Sequence, residues 1–254
     1  MKVLILCGGL GTRAYPFTRT LPKALLPVGG IPVVEQVMRI YAAQGYDRFV
    51  LAAGHMKDAI DSYFRTRRQW NVRCVDTGDG ADTGERVRRS LDHIGGEAFH
   101  LTYCDGLGDV DLQALVARHR DHGARATLTA VPLRSQYGVV RADAADLVTD
   151  FAEKPVLEGM WVNAGFMVLE PDALDGLEGA SLERDLLPAM AGAGRLGLYR
   201  HRGFWRSLDT FKDQQELDRE WPAVAASHIG VHSSLQPLPA WLAARYAVVE
   251  RELA

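Results

Sequence analysis

Residues 2–30 read KVLILCGGLGTRAYPFTRTLPKALLPVGG, and the join between Cys7 and Gly8 decides the fold. Lys2 to Cys7 form a short apolar run that reads as a buried parallel strand, and it empties into Gly8, Gly9, Leu10, Gly11, Thr12 and Arg13. Glycine has no Cβ, so consecutive N–H groups can turn toward a ligand and a phosphate or base edge can approach the main chain. Arg13 adds a planar cation, and Lys23, held between Pro22 and a second apolar run, adds a point charge. A strand feeding a glycine cradle flanked by two cations reads as a polyphosphate site.

Other glycine loops fit less well. The Walker pattern G-x-x-x-x-G-K-[ST] is absent, and the dinucleotide fingerprint would need glycine where Arg13 or Ala14 stands. A nicotinamide dehydrogenase would also need an acidic residue closing the second strand, where Ala52, Ala53 and Gly54 occur.

Downstream, apolar spacing predicts a helix from Pro32 to Ala43, a strand from Arg48 to Ala53, a helix from Asp58 to Phe64 and a strand from Val72 to Val75. This βαβαβ alternation implies a parallel sheet with right-handed crossovers, which binds ligands beyond the carboxyl ends of its strands. The loop from Asp76 through Thr77 and Gly78 to Thr83 and Gly84 precedes a helix over Arg86 to His93, placing glycine where backbone groups read a base edge. Ala98 to Tyr103 is a further strand ending at Cys104 and Asp105, and a carboxylate there faces the crevice and suits Mg²⁺. Capping of the next helix, Leu112 to His122, better suits Asp109 or Asp111. Short neighbouring strands at Gln136 to Val140 and Val148 to Ala152 then predict a mixed sheet with a small β excursion.

At 254 residues, with 47% apolar and 24% charged residues, the chain suits one soluble α/β domain with an appendage. A net charge of −3 gives no basic field for nucleic acid, and the arginine clusters at 65–68 and 86–89 read as solvated helix faces. No apolar run reaches membrane-span length and no signal peptide opens the chain, so a cytoplasmic location is expected, with neither membrane nor nucleic-acid partner. Cys7, Cys74 and Cys104 are widely separated and read as buried thiols of a reducing compartment.

The motif G-G-x-G-T-R followed by L-P-K-x-L-L-P-V-G-G resembles the signature of the sugar-phosphate nucleotidyltransferases, and later motifs keep that family's order over residues 1–221. The resemblance implies a Rossmann-like, doubly wound, mostly parallel mixed sheet carrying a small sugar-binding β excursion. It also implies transfer of a nucleotidyl group from a nucleoside triphosphate to a sugar 1-phosphate, with release of pyrophosphate. W-N-V-x-x-V-D-T-G-D and T-G-x-R-V-R-R are similar to the glucose-1-phosphate cytidylyltransferases, which implies CTP and glucose 1-phosphate. Uridylyl, thymidylyl, guanylyl or adenylyl transfer, a different phosphate acceptor, and a non-catalytic nucleotide-binding subunit are the alternatives. Glu85 and Cys104 stand where the family has glycine.

Carried over residue by residue, the resemblance implies nucleotide binding by Cys7, Gly8, Gly9, Gly11, Thr12, Arg13, Lys23, Thr77, Gly78, Thr83, Gly84 and Asp105. Glu153-Lys154-Pro155 and Val162-Asn163-Ala164-Gly165-Phe166 imply a sugar-phosphate site made by Gly138, Glu153, Lys154, Asn163 and Gly165. Gly203-Phe204-Trp205-Arg206-Ser207-Leu208-Asp209-Thr210 implies a second Mg²⁺ carboxylate at Asp209, whose competing role is capping the helix Phe211 to Trp221. Arg13, Lys23 and Lys154 become the catalytic cations. Beyond the domain at 1–221, residues 222–254 read as a proline-marked linker and a helical tail that packs on the domain or on a second subunit, so a homo-oligomer stays open.

Overall fold

The computed structural model describes residues 1–15, 17–229 and 237–253, with the backbone alone of residues 13, 17 and 249–253. The opening run forms β1 (Val3–Leu6), all of it buried. The loop after it winds through three short 3-10 turns into a minimal hairpin, β2 (Pro27–Val28) and β3 (Ile31–Pro32). There follow α1 (Val33–Ala42), β4 (Arg48–Ala53), α2 (Lys57–Arg65), β5 (Asn71–Asp76), α3 (Thr83–Ile94), β6 (Phe99–Tyr103), β7 (Gly106–Gly108) and α4 (Leu112–His122). The second half holds β8 (Ala126–Arg134), β9 (Val139–Ala142), β10 (Val148–Ala152), β11 (Val156–Leu169), a π-helical turn at Leu182–Leu186 running into α5 (Leu187–Gly192), and β12 (Leu196–Arg200). β13 (Trp205–Ser207), α6 (Phe211–His228) and α7 (Ala240–Leu253) complete it.

A seven-stranded sheet in the order β12-β8-β11-β6-β1-β4-β5 is the centre of the molecule. β1 runs parallel to both neighbours, with Leu6 opposite Ala52 on one side and Tyr103 on the other, so three strands end level at their carboxyl ends. β11 is antiparallel to β6 and β8, which makes the sheet mixed, as the sequence predicts. Alternation along β1 sends Val3, Ile5 and Cys7 into one helical layer and Leu4 and Leu6 into the other. Each such leucine or valine removed from water contributes about 1.5–3 kcal/mol, which is why the strand reads as continuously apolar.

Two helix boundaries shift by more than one residue, for local reasons. α3 begins at Thr83 rather than Arg86, because Asp82 and Glu85 form a reciprocal capping box. α6 does not stop at Trp221 but continues through Pro222 to His228. The proline costs about 3 kcal/mol in a helix interior, and the fully buried Trp221, packed on Phe204 with ring centroids 5.9 Å apart, offsets that cost. The expected boundary at residues 221–222 therefore falls inside a helix. Of the expected linker, residues 230–236 lie outside the described residues.

α7 packs on its own domain. Leu242 and Tyr246 are buried in the layer that holds Val3 and Ile5. The Arg245 guanidinium donates to the Thr20 carbonyl at 2.9 Å, and the Tyr246 hydroxyl donates to the Leu25 carbonyl. Among the described residues no helix is long and apolar enough to cross a membrane.

Candidate active site

A cavity of about 600 Å³ opens at the carboxyl ends of β1 and β6, where the level strand ends leave the sheet crevice uncovered. Cys7, Gly8, Gly9, Gly11 and Thr12 form one wall, with Lys23 beside them. Thr83, Asp105, Asn163 and Asp209 arrive from four other segments. The cavity therefore gathers the glycine loop, one of the three expected catalytic cations and both expected metal carboxylates. The Arg13 backbone lies in the first 3-10 turn, and its side chain is outside the described residues.

Lys23 is the hub. Its Nζ donates to Asp105 Oδ2 at 2.6 Å and to Asp209 Oδ1 at 2.9 Å, and the Ser207 hydroxyl donates to the other Asp209 oxygen at 2.9 Å. Burial works to lower the ammonium's pKa, but the charges and hydrogen bonds of Asp105 and Asp209 outweigh it and hold the group above its ordinary 10.5. Neither aspartate is spent on helix capping. Asp111 caps α4 through Ala114 N–H at 2.8 Å, and Thr210 caps α6 in a box with Asp213.

Two carboxylates converging on one cationic point fit a hard divalent ion such as Mg²⁺. That ion uses one or two carboxylates and completes its shell with phosphate oxygen and water. Among the described residues no group of three or more His, Cys, Asp and Glu side chains is placed to hold a metal.

Behind the glycine loop lies a buried arginine from a cluster that reads in sequence as a solvated face. Arg86 is 4% exposed. Its guanidinium donates to the Gly8 carbonyl at 2.9 Å, the Thr77 hydroxyl at 2.6 Å, the Gly78 carbonyl at 2.9 Å and the Asp79 carbonyl at 3.2 Å. A Cβ at Gly8 would overlap that guanidinium, so a larger residue there would displace the arginine from its clamp. Arg88 and Arg89 likewise donate to carbonyls, at Gly179 and Leu177 and at Thr77. The stripe Arg86, Ser90, Ile94 at four-residue spacing was the available signal, since all three are buried on one face of α3.

Other expected residues lie behind the wall rather than on it. Thr77 is buried as an Arg86 partner, and Gly78 contributes its carbonyl to the same clamp. Gly84 sits where a Cβ would come within 2.7 Å of the Ala180 carbonyl oxygen. Gly165, at φ +83°, leaves room for the Tyr103 ring.

Tyr103 and Glu183 were not anticipated. The Tyr103 hydroxyl donates to Glu183, which also accepts from the Thr83 hydroxyl at 2.6 Å, so three segments are tied across the cavity. Burial, with the Glu183 charge beside it, pushes the phenol upward.

Of the expected sugar-phosphate residues, Asn163 lines the cavity. Gly138, Glu153 and Lys154 lie instead on or beside the separate two-stranded sheet β9-β10. Glu153 and Lys154 face solvent and pair with each other at 3.7 Å, and the Gly138 position is closely covered by the Phe151 ring.

A family model described as nucleotidyl transferase matches residues 2–217. The chain is 34% identical over 247 residues to the glucose-1-phosphate cytidylyltransferase of Salmonella typhi, across 87% of this chain and 96% of that protein. It is 32% identical over 217 residues to the UTP–glucose-1-phosphate uridylyltransferase of a Synechocystis species, across 76% of this chain and 56% of that one. Its fold is similar to that of HddC from Yersinia pseudotuberculosis complexed with GMP-PN, with a TM-score of 0.68 at 20% identity over 87% of this chain and 99% of the other.

Proposed function

Because the chain belongs to the nucleotidyl transferase family, we propose that its cavity joins CTP to glucose 1-phosphate, giving CDP-glucose and pyrophosphate. The observation that carries the chemistry is the convergence of Asp105 and Asp209 on Lys23 beside the glycine loop. The choice of CTP and glucose is supported by the Salmonella relative and by the T-G-x-R stretch at Thr83 to Arg86.

In this reading an oxygen of the sugar phosphate attacks the α-phosphorus in line. A new P–O bond forms while the bond to the β-phosphate oxygen breaks, and pyrophosphate leaves with that electron pair. The attacking oxygen is already anionic near neutral pH, so the protein supplies position and charge rather than a base. The N–H groups from Gly8 to Thr12 hold the triphosphate, Lys23 aligns the α-phosphate, and Arg13 neutralises the departing pyrophosphate. Asp105 and Asp209 would hold Mg²⁺, which when bound would supply charge neutralisation for the reacting phosphates. Asn163, on the cavity wall, meets the sugar, with Gly165 behind it making room for the Tyr103 ring.

The test is pyrophosphate release with Mg²⁺ across five nucleoside triphosphates and several hexose 1-phosphates. One dominant cell at CTP with glucose 1-phosphate is the expected result. Dominance of UTP would favour the reading suggested by the Synechocystis relative, and would keep the mechanism while replacing the substrate.

A further inference from the structure

We infer that Cys7 and Cys104 form a paired thiol site in the floor of the cavity, which hydrogen peroxide converts to a disulfide. β1 and β6 are adjacent parallel strands with Leu6 opposite Tyr103, so the next residues, Cys7 and Cys104, stand opposite each other. Both project into the core layer that holds Ile5, on one face of the sheet. The Cys7 thiol donates to the Ile5 carbonyl at 3.5 Å, and burial with Cys104 beside it pushes that thiol's pKa up.

Neighbouring strands run about 4.8 Å apart, inside the Cα range of roughly 4.4–6.8 Å that a disulfide spans. Both sulfurs are largely buried, yet both residues line the cavity. A small neutral oxidant in the cavity water can therefore reach them where a bulky one cannot. Cys74 provides an internal control, since it lies on β5, two strands from β1 and about 10 Å across the sheet.

The chemistry balances with peroxide alone. Sγ of Cys104, the more exposed of the two, attacks a peroxide oxygen. The O–O bond breaks and one water leaves, giving a sulfenic acid. Sγ of Cys7 then attacks Sγ of Cys104, the S–O bond breaks, and the departing hydroxide takes the Cys7 proton as a second water. Two thiols are oxidised by two electrons and one peroxide is reduced to two waters.

Gly8 follows Cys7 and Asp105 follows Cys104, so closing the bridge shifts the glycine loop and draws Asp105 away from Lys23. Occupation of the cavity by nucleotide shields the pair.

The experiment treats the intact protein with hydrogen peroxide and counts free thiols after denaturation, with peptide mapping and mass measurement. These readouts do not depend on which reaction the cavity catalyses. Of three thiols, one remains, Cys74. The mass falls by about 2 Da, and one peptide links residues 7 and 104. Pyrophosphate release, which rests on the proposed function, falls about tenfold or more and returns with dithiothreitol. Cys104→Ala keeps its activity and resists peroxide, and Cys104→Ser serves if alanine impairs folding. The inference is overturned if peroxide leaves Cys7 and Cys104 free, carries either to a sulfinic acid without linkage, or bridges Cys74, or if the Cys104 variants lose activity as the parent does.

Discussion

Lys23 and Asp105 are 82 positions apart in sequence and 2.6 Å apart in space, and the same ammonium holds Asp209 at 2.9 Å. One lysine thus keeps two like charges together at the mouth of the sheet.

Lys23→Met lowers turnover about 10²–10³-fold in pyrophosphate release, the usual cost of one preorganised charge. The same variant reports a pH dependence. Because the folded state holds Lys23 above its ordinary 10.5, its contribution to stability is complete below that pH and fades as the pH rises beyond it. Unfolding curves of parent and variant therefore converge at alkaline pH. A gap that stays constant through pH 11 or so would show that the lysine is not paired as described.

Asp209→Asn weakens metal binding more than nucleotide binding. Its oxygens meet Lys23 and Ser207, and Thr210 rather than Asp209 caps α6, so the substitution leaves the helix intact. The expected outcome is a fall in turnover of about 10²-fold with a raised Mg²⁺ requirement, read by titrating Mg²⁺ at saturating substrates. An unchanged metal requirement would remove Asp209 from the site.

Arg86→Met removes the donor to the buried Thr77 hydroxyl and Gly8 carbonyl and to the less buried Gly78 and Asp79 carbonyls. Leaving such groups unsatisfied costs about 1–3 kcal/mol each before relaxation, so a loss of several degrees in melting temperature is expected, together with a raised KM for nucleotide. Arg86→Lys recovers little, since one ammonium cannot replace the planar fork. A stable variant with unchanged KM would contradict the clamp.

His100 predicts behaviour at the acid end. It is buried against Tyr41 and Tyr46, and burial drives its pKa down to about 3. The folded protein holds the ring neutral while the unfolded chain protonates it near 6.5, so stability falls as the pH drops below 6.5. His100→Phe flattens that limb in acid-unfolding experiments. An unaltered limb would assign it to carboxylates instead.

The sheet and the phosphate end of the cavity were legible in sequence because their signals are local. An apolar strand, a glycine loop and an aspartate closing a central strand each announce themselves within a few residues. Capping was half legible. Asp111 was among the candidates for α4, but Thr210 was passed over beside Asp209. Arg86 was misread because a charged triplet looks solvated until the fold supplies carbonyls to receive it. Glu183 escaped because its partners, Thr83 and Tyr103, are 100 and 80 residues away. Pro222 looked like a helix stop, and only the burial of Trp221 explains why the helix runs past it.

The seat of α7 has a consequence for how the protein comes into being. The segment carrying Lys23 is synthesised well before its partners, since the Thr20 and Leu25 carbonyls receive donors 225 and 221 positions later. Until Arg245 and Tyr246 are made, the Thr20 and Leu25 carbonyls lack the donors that hold them in the folded protein. Competence for chemistry thus waits on residues more than two hundred positions beyond the lysine they help to seat.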